Sequence, residues 1–114
     1  MGNLKNETLK ILREHGKSPL DILWIGGDDF TIPEALFWRL ADRCYDSGYG
    51  APEVAQDLVI VGEDWWLERS EYDGAEEWNY KTLPTRPKEQ LVVKRVIARD
   101  IGWETLKEMQ EDKP

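Results

Sequence analysis

The sequence predicts an α+β fold: an antiparallel β-meander over about residues 58–81, with helices packed on one face. Three observations predict it. Residues 58–61 form an apolar, β-branched run, Gly62-Glu63-Asp64 interrupts it, and residues 65–72 follow as a second, alternating run. Asp73-Gly74 then supplies the pair a type I′ turn requires, because both central residues take positive φ. That turn sets a register with Leu67 opposite Tyr80, Arg69 opposite Trp78 and Trp65 opposite Thr82, while Glu68 faces Asn79 and Ser70 faces Glu77. One face is apolar and the other polar, so turn chemistry and alternation agree.

The remaining elements follow in chain order. Asn3 can cap a helix over residues 4–15, in which Leu4, Ile11 and Leu12 fall near one face and Gly16 lies just past the end. Ser18-Pro19 punctuates, and residues 20–25 read as a short strand stopped by Gly26-Gly27. Thr31-Ile32-Pro33-Glu34 matches a capping box, and Ile32, Leu36, Phe37, Leu40, Ala41 and Cys44 make an apolar stripe, which predicts a helix over residues 32–45. A turn follows at residues 46–50, then one helical turn at residues 52–55. Beyond the meander, Pro84 and Pro87 remove ladder donors and predict a loop over residues 82–87. Residues 90–98 support a helix by spacing and a strand by their β-branched content in equal measure. A short helix over residues 103–109 and a fraying tail at about residues 110–114 close the chain.

At 114 residues, with 40% hydrophobic and 33% charged side chains, the chain suits a single ordered domain, residues 1–114. That length buries roughly two-thirds of the unfolded surface, enough for a core without disulfides or a structural metal. A net charge of −8 is the wrong sign for direct nucleic-acid binding. The lone Cys44 excludes an internal disulfide and favours a reducing, cytoplasmic setting. The first twenty residues lack the apolar run of a signal peptide, no stretch approaches the length of a membrane span, and Glu7 spoils the myristoylation pattern after Met1-Gly2. No membrane partner is expected.

Catalytic constellations are equally sparse. His15 is the only histidine, which removes His-based triads and multi-imidazole zinc sites, and its place beside Gly16 suits a helix end. Cys44 on the apolar stripe reads as a buried structural thiol. Asp28-Asp29 lacks the spacing of a calcium loop and suits a turn before a helix, while Gly26-Gly27 lacks a phosphate-loop pattern. Carboxylate pairs such as Glu68 and Glu71 are too common in this composition to mark acid–base catalysis. The expectation is a protein with no catalytic residues, no metal and no cofactor; a small metal-dependent enzyme using Asp28 and Asp29 is the minor alternative.

The negative charge is concentrated. Residues 21–77 hold 15 acids against three bases, a net of −12, and each flank carries +2. Such a block can serve solubility, or it can complement a basic partner and steer its association. Trp65, Leu67, Trp78 and Tyr80 read as core, with Arg69 placed for a cation–π contact with Trp78. Trp66 and Tyr72 fall on the polar, acidic face, where they are exposed unless another element covers them, and aromatics amid carboxylates resemble a binding hot spot. The candidate partner-binding residues are Glu63, Asp64, Trp66, Glu68, Glu71, Tyr72, Asp73, Glu76 and Glu77.

The stretches YDSGYG (residues 45–50), DLVIVG (57–62), WWLER (65–69), EYDG (71–74) and EW (77–78) carry a further signal. In this order, within residues 22–87, they resemble small acidic proteins encoded by phages and prophages of gut and Gram-positive bacteria. The resemblance brings no catalytic residue or cofactor with it. What it implies is context: such accessory proteins bind and inhibit host machinery, including CRISPR effectors and restriction enzymes. The expected partner is thus a host protein with a basic surface, such as a nucleic-acid-binding defence effector; the alternative is an assembly accessory that binds another phage protein.

Overall fold

The computed structural model describes residues 2–46, 51–99 and 102–111. The chain divides into two units, Met1–Pro84 and Thr85–Pro114. The first is α+β, as the sequence predicts. Strand β1 (Gly2–Asn3) leads into helix α1 (Leu4–Glu14), whose N-cap Asn3 accepts a hydrogen bond from the Asn6 N–H at 3.1 Å. Gly16 ends the helix with φ of 69°, a conformation glycine adopts without strain, and the Lys17 N–H returns to the Leu12 carbonyl at 2.8 Å. A 3-10 turn at Pro19–Asp21 precedes β2 (Trp24–Gly26), and a tight turn connects it to β3 (Thr31–Ile32). Helix α2 (Glu34–Ala41) and β4 (Cys44–Tyr45) follow, and β4 pairs with β1.

The meander consists of β5 (Val59–Val61), β6 (Trp65–Tyr72) and β7 (Ala75–Thr82). With β2 and β3 it makes one antiparallel sheet in the order β3-β2-β5-β6-β7. All five β6–β7 pairs expected from the Asp73-Gly74 turn are present, and φ is 52° at Asp73 and 86° at Gly74. On the inner face Ile25, Ile60, Trp65, Leu67 and Trp78 pack against Leu12 of α1 and Phe37 and Ala41 of α2. The inner face of β7 is fixed to α1 by one hydrogen bond, which a second relays into the helix backbone. The Trp78 Nε1–H donates to the Thr8 hydroxyl at 2.9 Å, and Thr8 Oγ1 donates to the Leu4 carbonyl at 2.7 Å. His15 sits at the helix end, as its neighbourhood predicts, and its ring stacks on Tyr80 at 3.8 Å.

Several local expectations are corrected. The Thr31 to Glu34 capping box does not form, because Thr31 and Ile32 are used as a strand against Gly26 and Ile25; Pro33 is the N-cap and makes no side-chain hydrogen bond. Helix α2 stops at Ala41, four residues short of the expected end, since Cys44 and Tyr45 pair with Asn3 and Gly2. Cys44 is therefore exposed in a strand and not buried on a helix, and Leu40 is exposed as well. The strand expected over residues 20–25 is confined to Trp24–Gly26, with the capped 3-10 turn taking its first residues. Residues 52–55 form no helical turn; their backbone is held by side chains described below. The turn predicted at residues 46–50 lies outside the described residues except for Asp46.

The second unit contains helix α3 (Leu106–Gln110), opened by a capping box between Thr105 and Glu108. Residues 90–98 are neither helix nor strand. Their backbone is tied instead to one side chain: Gln110 Oε1 accepts from the Lys94 and Arg95 N–H groups, and its Nε2 donates to the Arg95 carbonyl at 2.7 Å. Leu91, Val92, Val96 and Ile97 remain exposed, so the β-branched run finds no ladder to join. Among the described residues no helix is long and apolar enough to cross a membrane.

Candidate functional site

Both helices of the first unit contribute their buried residues to the inner face, and the outer face of the same sheet carries the aromatic and acidic side chains. Alternation along β6 puts Trp66, Glu68, Ser70 and Tyr72 there, opposite Lys81, Asn79, Glu77 and Ala75 of β7. The Trp66 Nε1–H donates to Glu68 Oε1 at 2.7 Å, so the indole is half-buried with its polar atom satisfied. Tyr72 is 86% exposed and sits at the hairpin tip between Glu71 and Asp73, diagonal to Glu77. Glu71 Oε1 accepts from the Gly74 N–H at 2.7 Å and thereby buttresses the turn that presents Tyr72.

The nine candidate residues do not make one patch. Glu63 and Asp64 are exposed in the β5–β6 turn, at the opposite end of β6 from Asp73; the seven steps of β6 separate the two turns by roughly 23 Å. Glu71 and Glu76 stand opposite one another on the inner face, in line with Arg69 and Trp78. Glu71 is exposed at the rim, whereas Glu76 is buried and unavailable to a partner. What remains is an outer-face row running from Trp66 through Glu68 to Tyr72, roughly 20 Å, with Glu77 beside it and Glu71 and Asp73 at the tip.

Sequence reasoning missed Trp24. Its backbone pairs with Val61, which pairs with Trp66, so Trp24, Val61, Trp66 and Lys81 form one row across the outer face. Trp24 is 42% exposed. Alternation against the buried Ile25 could have assigned its face, but the pairing of β2 with β5 links residues more than thirty positions apart and has no local signal.

Glu76 has a structural duty. It accepts from Arg69 Nη2 at 2.9 Å and from the backbone N–H groups of Glu53 at 2.6 Å and Val54 at 3.1 Å. Burial pushes its carboxyl up, but these three donors, led by the Glu53 amide, outweigh that and hold it below the usual carboxylate range. The Arg69 guanidinium lies 4.8 Å from the Trp78 ring centroid, which realises the expected cation–π contact, and Nη2 also donates to the Tyr45 hydroxyl at 3.3 Å. Arg69 Nε and Nη1 have no hydrogen-bond partner among the described residues. Tyr45 in turn donates to Glu7. The cluster fastens residues 53 and 54 and α1 to the sheet.

Burial, then the hydrogen bond to Glu7, pushes the Tyr45 phenol from 10.0 up to about 12. Because folding favours the neutral phenol, its contribution to stability is complete below pH 10 and is lost as pH rises from there to about 12. Alkaline denaturation should therefore be blunted in Tyr45→Phe relative to the parent, and in spectrophotometric titration one phenolate should appear only near pH 12, a step absent from the variant. A parent whose tyrosines all ionise together near pH 10 would contradict the assignment.

Asp28 and Asp29 are exposed in the turn between β2 and β3, where the Asp28 N–H donates to Asp57 Oδ2 at 2.9 Å. Among the described residues no group of three or more His, Cys, Asp or Glu side chains is arranged to hold a metal ion. Comparison with protein-family models, with curated proteins and with solved structures returns no match.

Proposed function

We propose that the chain is a non-catalytic binding protein that engages a basic protein surface through the outer face and tip of the β6–β7 hairpin. The observation that carries this reading is Tyr72: an aromatic side chain 86% exposed, flanked by Glu71 and Asp73 and diagonal to Glu77, on a turn fixed by its own backbone and by the Glu71 side chain. An aromatic anchor ringed by carboxylates suits lysine and arginine side chains, through cation–π contact and charge-assisted hydrogen bonds. Trp24 and Trp66 extend the surface along the sheet. With a central charge of −12 and the resemblance to phage-encoded accessory proteins, the partner class is a nucleic-acid-binding defence effector of the host, which the protein would inhibit by occupying its basic surface.

The test is capture from a host lysate with the tagged full chain beside a Tyr72→Ala, Glu71→Gln, Asp73→Asn variant. Asparagine keeps the positive φ available at position 73, so the hairpin is preserved. The parent is expected to retain a basic nucleic-acid-binding protein and the variant to lose it. Equal recovery by both proteins would overturn the site, and recovery of virion components in place of a nucleic-acid-binding protein would replace the inhibitor reading with that of an assembly accessory.

A further inference from the structure

The two edges of the five-stranded sheet are unlike. At one end β3 is two residues long and followed by Pro33, a combination that prevents another strand from adding. At the other, β7 is eight residues long, contains no proline or bulge, and pairs only with β6 among the described residues. The Leu83 N–H bond to the Asp64 carbonyl at 2.9 Å fixes the parity of the ladder: odd-numbered residues of β7 direct their main-chain groups at β6. The even-numbered residues Glu76, Trp78, Tyr80 and Thr82 therefore direct their N–H and C=O groups away from the sheet.

We propose that β7 pairs with β7 of a second copy, antiparallel about a twofold axis at Asn79, joining two five-stranded sheets into one. The charge pattern of the strand selects this register. With Asn79 opposite its own counterpart, Glu77 of each copy stands opposite Lys81 of the other on the outer face, and Trp78 stands opposite Tyr80 on the inner face. Trp78 and Tyr80 are both even-numbered, so they form a hydrogen-bonded pair, as an antiparallel ladder requires. Within one chain Glu77 and Lys81 cannot satisfy each other: they are four residues apart on one strand, roughly 13 Å, and face Ser70 and Trp66 of β6. Both are exposed. The blunt β3 edge stops growth at two copies, in keeping with closed twofold symmetry.

Charge exchange tests both the contact and its register. In sedimentation of the full chain across a concentration series, the parent is expected to dimerise. Glu77→Lys and Lys81→Glu, each of which puts like charges opposite one another twice, should each weaken the dimer by at least about tenfold. The Glu77→Lys, Lys81→Glu double variant should recover the parental constant to within about threefold. Circular dichroism of each variant confirms that the exposed substitutions leave the fold in place. A parent that remains monomeric throughout the series overturns the proposal, as does a double variant no better than the single ones. Glu77 also belongs to the proposed partner-binding face, but sedimentation of the purified chain alone reads self-association with no partner present, so the outcome is separable from partner binding at the hairpin tip.

Discussion

Replacing Glu76 with alanine is expected to remove about 3–5 kcal/mol of folding stability, the range observed when one member of a buried ion pair is deleted. The side chains of Arg69 and Glu76 are 5% and 3% exposed, so neither charge is otherwise compensated by water. Loss of the carboxylate strands the guanidinium in the interior and leaves the Glu53 and Val54 amides without their acceptors. Since the folded state holds the Glu76 carboxyl below its ordinary 4.5, its contribution is fully present above that pH and is lost as pH falls through the lower, folded value. Urea denaturation should accordingly show a stability that falls in acid for the parent and a shallower acid dependence for Glu76→Gln. A Glu76→Ala loss of less than about 1 kcal/mol, the scale of a solvent-exposed pair, would contradict the burial of this cluster.

Trp65→Ala should be similarly severe, about 3–5 kcal/mol. The indole is 2% exposed, stacks on Tyr80 with centroids 5.9 Å apart, and has the Lys17 ammonium 6.0 Å from its centroid. The ring also rests against Gly62, where an added Cβ would come within 2.1 Å of it. Glycine at position 62 is thus part of the tryptophan's seat, and the Gly62 N–H to Trp65 carbonyl bond at 2.9 Å closes the β5–β6 turn around it. Removing the ring takes a large buried side chain from between Tyr80, Lys17 and Gly62 and leaves a cavity there. A fall in the urea midpoint corresponding to less than about 1 kcal/mol would show that the inner face does not depend on this contact.

The hairpin was the most legible part of the sequence, and the reason is locality. Asp73-Gly74 specifies its turn through φ alone, the turn specifies the register, and the register places Leu67 against Tyr80 and Arg69 against Trp78 without reference to any distant residue. The same alternation places Glu76 beside Trp78 and Tyr80 on the inner face, so its burial was readable from strand parity, although its acidity suggested solvent. What could not be read locally is the use of Thr31 and Ile32 by β2, of Cys44 by β1, and of Trp24 by β5. In the first two cases a pairing partner elsewhere in the chain outcompetes a sound local signal, a capping box and an apolar helical stripe, whereas β2 uses part of the expected strand and only its choice of β5 as partner has no local signal. Residues 90–98 illustrate the reverse, because their β propensity meets no strand and Gln110 bonds the backbone at Lys94 and Arg95 instead.

The candidate site was legible in kind more than in extent. Charge partition located the acidic block, and strand parity singled out Trp66 and Tyr72. The structure narrows the nine residues to a hairpin tip and an outer face, adds Trp24, and withdraws Glu76 to the interior.

The most direct measurement of the central claim, that the acidic hairpin binds a basic partner, is the affinity of the full chain for its captured partner as a function of salt concentration. The account predicts an affinity that falls steeply with added salt, because exposed charges are screened, and a shallower slope with weaker binding in the Tyr72→Ala, Glu71→Gln, Asp73→Asn variant. An affinity insensitive to salt, or a variant that follows the parental curve, would contradict it.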